Sequence, residues 1–254
     1  MNILLTNDDG LETGGLKALY QELIQLGKTI IISPITQQSA VSHAITIFSP
    51  LFVQKITTYL DNKTPLYAVD GTPADCVKLG LGKILKEKPD IVVSGINAGA
   101  NVGVDIFYSG TVAAAIEGAL WGITSFAVSL EKSDNKFELN FSFAAKSAVK
   151  IIKSLLLSKP LKGNLFNINV PAKAGNRIKG IQYTRQDCGF LPDQFVSGVD
   201  PRGRNYYWVK PIPKNPQPKP KNNGILISDI KALKTGYISI TPLKANLTDD
   251  SFIS

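Results

Sequence analysis

The feature that most restricts the fold of this chain is an alternation of short β-branched runs with segments of helical periodicity. Residues 3–6 form an apolar run that ends in the turn-forming residues 7–10, which is typical of a buried strand and its exit loop. Apolar side chains between residues 16 and 24 recur at helical spacing, and Gly27 stands where a helix C-cap belongs. A second strand-like run follows at residues 29–33, so the pattern predicts a βαβ unit.

The alternation continues through the middle of the chain. Thr72 can cap a helix that has Pro73 in its first turn and Asp75 facing the helix dipole. Further elements are expected as a strand at 90–95, a helix at about 111–121, a strand at 125–129, a helix at about 141–157 and a strand at 165–170. This order predicts an α/β fold: a Rossmann-like, mostly parallel sheet in a three-layer α/β/α sandwich.

Two regions depart from the alternation. Residues 45–69 contain strand-like runs around a polar turn at 61–63, which predicts a protruding β-hairpin. From about residue 178 the pattern is again β-rich, and prolines between 211 and 220 interrupt it, which favours an extended, exposed segment there. We therefore expect one domain over residues 1–254, with a core at about 1–175 and a C-terminal β-rich extension at about 176–254.

The composition excludes several classes of protein. Hydrophobic residues make up 44% of the chain and no tripeptide or heptad repeat runs through it, which excludes collagen, a coiled coil and wholesale disorder. Cys76 and Cys188 are far apart and match no metal or redox spacing, so we expect two reduced thiols. No signal-peptide pattern and no long apolar stretch is present. We expect a soluble cytoplasmic protein with no membrane association.

The formal net charge of +8 has two interpretations. It can indicate a nucleic-acid-binding protein, with Tyr206, Tyr207 and Trp208 as stacking platforms. It can also be a local surplus, because the stretch 201–221 has no acidic residue and six basic ones: Arg202, Arg204, Lys210, Lys214, Lys219 and Lys221. The alternative function is therefore a basic nucleic-acid-binding protein that uses the segment from Arg202 to Lys221.

Polar clusters follow three of the predicted strands, at residues 7–10, 38–39 and 95–101. Ligands bind at the carboxyl ends of strands in open parallel sheets. The adjacent Asp8 and Asp9 repel each other unless a cation lies between them, and Mg²⁺ or Mn²⁺ would accept these carboxylates together with the carbonyl of Asn97. The alternatives are that Asp-Asp-Gly is only a turn and that Asn97 is a loop residue in the left-handed conformation.

Two further features admit a functional or a structural interpretation. Ser109, Gly110 and Thr111 open a predicted helix, whose free N–H groups can bind phosphate or can simply be capped. His43 is the only histidine and either protonates a leaving oxygen or is a hydrogen-bonded structural residue.

Seven motifs, taken in order, closely resemble the stationary-phase survival protein SurE family. They span nearly the whole chain: residues 3–10; 38–39 with 42–46; 69–77; 94–103; 108–115 with 117–118; 200–204 with 206–208; and 236–243. The resemblance implies a metal-dependent 5′/3′-nucleotidase, an acid-phosphatase-like phosphoric monoester hydrolase that releases phosphate from nucleoside monophosphates.

The resemblance also implies the site and the partners. One divalent ion per subunit, Mg²⁺ or Mn²⁺, is expected on Asp8, Asp9, Ser39 and Asn97, and the phosphate on Asn7, Asn101, Ser109, Gly110 and Thr111. Asp8 or Asp9 is expected to orient or deprotonate the attacking water. A homodimer or homotetramer that exchanges C-terminal segments is implied, with the extension as oligomerisation arm and hairpin, and no nucleic acid is required. Ala40 departs from the family, in which glycine is common at this position.

Overall fold

A computed structural model describes residues 1–57, 60, 64–132, 139–158, 161–172, 177–189, 193–210 and 226–248. The strands are β1 Asn2–Thr6, β2 Lys28–Pro34, β3 Val53–Ile56, β4 Leu66–Val69, β5 Ile91–Ala98, β6 Thr124–Leu130, β7 Leu165–Val170, β8 Gly180–Tyr183, β9 Gln194–Val199, β10 Asn205–Lys210 and β11 Tyr237–Leu243. The α-helices are α1 Gly14–Leu23, α2 Pro73–Leu79, α3 Gly110–Leu120, α4 Phe141–Ser158 and α5 Asp229–Thr235. A π-helical turn at Gly80–Ile84 follows α2, and a 3-10 turn at Gly103–Tyr108 precedes α3.

Nine of the strands form one sheet in the order β3-β4-β2-β1-β5-β6-β7-β11-β8. The run from β4 to β7 is parallel throughout, whereas β3 and β11 pair antiparallel with their inner neighbours. Strands β6 and β7 are buried along their whole length and β5 over its first six residues, as expected where helices cover both faces. The mostly parallel sheet predicted from the alternation is confirmed.

Helices cover the two faces in pairs. The helices α1 and α4 pack together on one face, where Leu16, Leu19 and Ile152 are fully buried against the sheet. The helices α2 and α3 pack together on the other face, where Val77 and Ala114 are fully buried. The three-layer α/β/α arrangement is therefore confirmed.

The hairpin expected in residues 45–69 is present, but its position differs from the prediction. Its strands are β3 and β4, and β4 pairs parallel with β2, so the hairpin extends the edge of the main sheet. The predicted turn at 61–63 lies outside the described residues. A second hairpin, β9–β10, forms a separate two-stranded sheet in which every residue of β10 is exposed.

The C-terminal region contributes to the main sheet as well as to this second hairpin. Strands β8 and β11 lie beyond residue 175, and β11 pairs with β7. The proline-rich segment at 211–220 lies outside the described residues. In the part of the chain that is described, no helix has both the length and the apolar character needed to cross a membrane.

Local signals predicted the start of α2 correctly and the end of α1 incorrectly. Thr72 caps α2 as expected, in a reciprocal capping box with Asp75. Gly27 is not a C-cap, because α1 ends at Leu23 and the cap is Ile24. Gly27 instead passes close to the chain start, where a Cβ would lie 2.1 Å from the Met1 carbonyl oxygen.

Substitution of two adjacent glycines at the start of α1, Gly14 and Gly15, tests how closely this helix approaches the sheet. A Cβ on Gly15 would lie 2.1 Å from the Ile96 carbonyl oxygen of β5, whereas one on Gly14 would meet only the Phe141 ring at 3.3 Å. We expect Gly15→Ala to reduce the free energy of unfolding by about 1–3 kcal/mol more than Gly14→Ala, because both changes gain the same helix propensity and only the first is overpacked. Urea denaturation of both variants measures the difference, and equal stabilities would contradict the close approach.

Candidate metal and phosphate site

The carboxyl ends of β1, β2 and β5 lie side by side, because the three strands are parallel and β1 lies between the other two. A cavity of about 290 Å³ opens there. Its lining contains all four predicted metal ligands and two of the predicted phosphate residues. The lining residues are Asp8, Asp9, Gln37, Ser39, Ala40, Asn97, Ala98, Ala100, Asn101, Asp105, Tyr108, Ser109 and Lys132.

Asp8 is the most buried member of the metal-ligand set, with 4% of its surface exposed. The backbone N–H of Thr111 donates to its Oδ2 atom at 3.2 Å, and the Thr111 hydroxyl donates to its Oδ1 atom. Burial raises the pKa of Asp8 to about 6, the Thr111 hydrogen bond opposes the rise, and the charge of Asp9 adds to it. A cation in the cavity would relieve both the burial and the repulsion.

Asp9 is half-buried, and its two oxygens are held by strand β5 and by the loop that follows β2. Its Oδ2 atom accepts from the N–H of Ala98 at 3.2 Å, and its Oδ1 atom accepts from the Gln37 amide at 3.3 Å. The same Gln37 Nε2 atom donates to Ser39 Oγ at 2.9 Å. Gln37 therefore joins the two ligands. Sequence reasoning missed it, although it lies in the polar run that contains Ser39.

Asn97 lies in β5 and not in a left-handed loop, so the structural alternative for this residue is wrong. The register of β5 against β6 shifts between Ser94 and Asn97, at Gly95. Gly95 has φ +138°, and a Cβ there would lie 2.3 Å from the Val128 carbonyl oxygen, so only glycine fits. The Asn97 amide nitrogen donates to Gly99 O at 2.8 Å, which leaves the side-chain carbonyl for a ligand.

These four side chains fit a hard divalent cation. They offer two carboxylates, a hydroxyl and an amide carbonyl, all of them oxygen donors of the kind that Mg²⁺ and Mn²⁺ prefer. Within the described residues, no group of three or more His, Cys, Asp or Glu side chains is arranged so that these side chains alone could hold a metal ion. The described part of the chain therefore provides no thiolate or imidazole cluster for zinc.

Asn101 and Ser109 border the same cavity, as expected for phosphate contacts. Asn101 is held through its backbone N–H, which donates to Asn169 Oδ1 at 2.8 Å, and its side-chain nitrogen, which donates to Ser129 Oγ at 2.8 Å. Its carbonyl also accepts from the amide of Asn167. Sequence reasoning missed these three partners, whose only signal was a polar side chain inside an apolar strand.

The other three predicted phosphate residues do not line the cavity. Asn7 is fully buried and donates to Gly10 O at 2.7 Å, which shapes the turn after β1. Thr111 donates to Asp8, and a Cβ on Gly110 would lie 3.0 Å from the Asp8 Cβ. Their contact with phosphate stays a prediction, and their observed role is to position Asp8 and the loop around it.

His43 lies at a carboxylate on α3 and does not border the cavity. Its Nε2 atom is 3.0 Å from Glu117 Oε2, and Glu117 also accepts from Trp121 and pairs with Lys78. Burial raises the pKa of Glu117. The hydrogen bonds from His43 and Trp121 and the charge of Lys78 lower it by more than burial raises it, so the pKa of Glu117 lies below its usual range. This arrangement matches the structural interpretation of His43.

The loop that carries Ser39 has an unusual backbone. Ala40 has φ +57° and Ser42 has φ +55°, a region that favours glycine. A glycine at position 40, as the family resemblance leads one to expect, would adopt this conformation without strain. Ser42 compensates for the strain by donating its hydroxyl to the Phe107 carbonyl at 2.6 Å.

Lys132 is the one positively charged side chain among the described residues that line the cavity. It follows β6 by two residues, at the same edge of the sheet as Asp8 and Asp9. Sequence reasoning missed it, although residues 131–132 follow a predicted strand and the same rule that selected Asp8 would have selected them.

Comparisons with known proteins point to one family. A family model described as Survival protein SurE matches residues 3–190. The 5′-nucleotidase SurE of Geotalea daltonii is 44% identical, covering 100% of this chain and 97% of its own, and that of Syntrophus aciditrophicus is 45% identical, covering 98% and 90%. The crystal structure of the Sure protein from Aquifex aeolicus aligns with a TM-score of 0.80 and 36% identity, over 100% of this chain and 97% of its own.

The Thr111 hydroxyl tests whether α3 positions the cation ligand Asp8. We expect Thr111→Val to weaken Mn²⁺ binding about 10- to 100-fold, because partners that orient metal ligands contribute on that scale. Thr111→Ser keeps the hydroxyl and is expected to bind Mn²⁺ almost as the parent does. Isothermal titration calorimetry measures both, with thermal denaturation to confirm folding, and equal Mn²⁺ affinity in the valine variant would contradict this role.

Proposed function

The chain belongs to the SurE survival-protein family, and on that premise we propose that it is a phosphomonoesterase that releases phosphate from nucleoside monophosphates. Its curated relatives carry the name 5′-nucleotidase, and we extend the proposal to 3′-monophosphates. The observation that supports it best is that Asp8, Asp9, Ser39 and Asn97 come from three strands to one cavity. Lys132 lies in the same lining.

We infer that one divalent cation per subunit, Mg²⁺ or Mn²⁺, is held by Asp8, Asp9, Ser39 and Asn97. When bound, the cation supplies Lewis-acid stabilisation of negative charge on the phosphoryl group. Gln37 holds Asp9 and Ser39 together through one amide nitrogen. This preorganises two of the four ligands before the cation arrives.

The phosphate of the substrate is expected to contact Asn101, Ser109 and Lys132. Ser109 lies at the start of α3, where the helix dipole favours an anion. Lys132 adds a full positive charge to a cavity that otherwise contains three carboxylates: Asp8, Asp9 and Asp105. A phosphate dianion needs this charge, because phosphoryl transfer is promoted mainly by positioning and electrostatic stabilisation.

We assign the attacking water to Asp9. Both Asp8 oxygens accept from Thr111, and the side chain is almost wholly buried. Asp9 is half-buried and its carboxylate accepts hydrogen bonds from two neutral donors, Gln37 and Ala98. An ionised carboxylate can accept about four hydrogen bonds, so Asp9 retains the capacity to orient a water toward the phosphorus.

The arrangement disfavours a phosphorylated histidine. His43, the only histidine of the chain, is bound to Glu117 and lies outside the cavity lining. An Asp nucleophile with a second Asp two residues later is also disfavoured, since Asp8 and Asp9 are adjacent. We therefore propose direct attack by water.

The basic segment supports nucleic-acid binding less well. Arg204 is paired with Asp200 at 2.7 Å, within the turn of the β9–β10 hairpin. Trp208 is 71% exposed, and neither it nor Arg202 borders the cavity. Lys214, Lys219 and Lys221 lie outside the described residues. The exposed apolar strand β10 suits a homodimer or homotetramer contact better, consistent with the proposed exchange of C-terminal segments.

Removal of the cation or of Asp9 tests the proposed reaction. We expect Asp9→Asn and Asp8→Asn each to lower kcat for AMP at least about 100-fold, because each removes a charge that positions the reacting groups. A chelator should abolish phosphate release from the parent, and Mg²⁺ or Mn²⁺ should restore it. The exposed Asp193→Asn change, outside the cavity, serves as control. Full activity of the parent protein in the presence of chelator would rule out the metal-dependent reaction.

Lys132→Gln tests the assignment of a phosphate contact to Lys132. We expect a decrease in kcat/KM of about tenfold at low salt, the scale of one hydrogen bond to a charged group, with a smaller decrease at high salt. Lys150→Gln makes the same change in net charge at an exposed position on α4 and should leave kcat/KM unchanged. Equal effects of the two substitutions on phosphate release would indicate a general charge effect and not a contact.

A further inference from the structure

A second cavity adjoins the metal site and has no role in the reaction described above. It has a volume of about 460 Å³, within the range of small-molecule sites. Asp9 belongs to the lining of both cavities. The remaining lining residues are Gly10, Leu11, Glu12, Thr13, Ile35, Gln54, Ile56, Leu66 and Ala68.

The cavity lies between the loop that follows β1 and the β3–β4 hairpin at the edge of the sheet. In the β3–β4 hairpin, Gln54 pairs with Ala68 and Ile56 pairs with Leu66, so these side chains share one face. The helix α1 packs further inside the sheet, against β5 and β1. Ile35, just after β2, completes the wall and is 48% exposed. The apolar part of the lining therefore combines the exposed Ile35 with buried side chains of the core, Leu66 and Ala68, beside the polar metal site.

The lining combines apolar side chains with a few polar ones. Leu11, Ile35 and Ile56 provide apolar surfaces that can lie against the flat faces of a base. Glu12 and Gln54 provide hydrogen-bonding groups for its polar edge, whereas the Thr13 hydroxyl is hydrogen-bonded to Gly10 O and Asn7. Apolar walls with a few polar groups are typical of sites for small organic ligands. A phosphate alone would need none of these residues.

We propose that this cavity holds the nucleoside part of the substrate, with the base against Leu11, Ile35 and Ile56 and the phosphate beyond Asp9 in the metal cavity. The proposal rests on the proposed nucleotidase function and adds to it the means by which nucleotides are distinguished from other phosphate monoesters. Binding energy from the base, remote from the reacting phosphorus, would then raise kcat/KM for nucleotides above that for sugar phosphates.

The experiment compares AMP with ribose 5-phosphate, which presents the same sugar phosphate without a base. Ile35→Ser removes an apolar wall of the cavity, and Ile24→Ser is the matched control, because Ile24 is 45% exposed and lies outside both cavities. We expect Ile35→Ser to raise KM for AMP about tenfold, the scale of a few lost methylene contacts. The KM for ribose 5-phosphate should not change, and Ile24→Ser should change neither.

Binding of adenosine to the chelated protein provides a second readout that needs no turnover. We expect calorimetry to detect adenosine binding in the parent and in Ile24→Ser, and a loss of about tenfold in affinity in Ile35→Ser. Equal KM values of the parent for AMP and ribose 5-phosphate, or unchanged adenosine binding in Ile35→Ser, would overturn the proposal. If no nucleoside monophosphate releases phosphate, the nucleotidase function fails, while adenosine binding that depends on Ile35 would still support the cavity assignment.

Discussion

The structure around the site depends on the buried contact between Asp8 and Thr111. It joins the carboxyl end of the central strand β1 to the first turn of α3, through a backbone N–H and a hydroxyl. Gly110 permits the close approach, since any side chain there would press on Asp8. One contact thereby fixes the direction of α3 and the orientation of a metal ligand, and it places Ser109 at the cavity. A carboxylate buried this deeply beside Asp9 is costly without a cation, so the fold itself favours metal binding.

The sequence predicted the sheet and the clustering of Asp8, Asp9 and Asn97 because both follow from local signals, whereas Ser39 was expected as a cation ligand only from the family resemblance. Apolar runs of four to six residues between helical segments define parallel strands, and parallel strands place their carboxyl ends at one edge. Asp8, Asp9 and Asn97 stand at or just after such an end, Ser39 lies five residues beyond β2, and the structure brings the four to one cavity. Their role as cation ligands is still a prediction, whereas their proximity is a property of the fold.

What the sequence did not predict depends on contacts between distant residues. Asn7 and Thr111 carry the same donors as phosphate-binding residues, but their groups are used within the chain, by Gly10 and by Asp8. In the sequence, Asn169 cannot be told apart from an ordinary strand residue. Only the fold brings its side chain to the Asn101 N–H, from which it accepts a hydrogen bond. The position of the β3–β4 hairpin was also not predictable, because edge pairing with β2 leaves no mark in the local pattern.

The loop that presents Ser39 has little independence from the rest of the molecule. It holds Ala40 and Ser42 in a conformation that neither prefers, so its shape comes from its attachments. Those attachments are the Phe107 carbonyl, 65 positions away, and Glu117 on α3, reached through His43 across 74 positions. The geometry of a cation ligand is thus specified largely by segments remote from it in sequence. Such a loop is not a transferable module: grafted without α3 and the turn before it, the same residues would not reproduce the ligand.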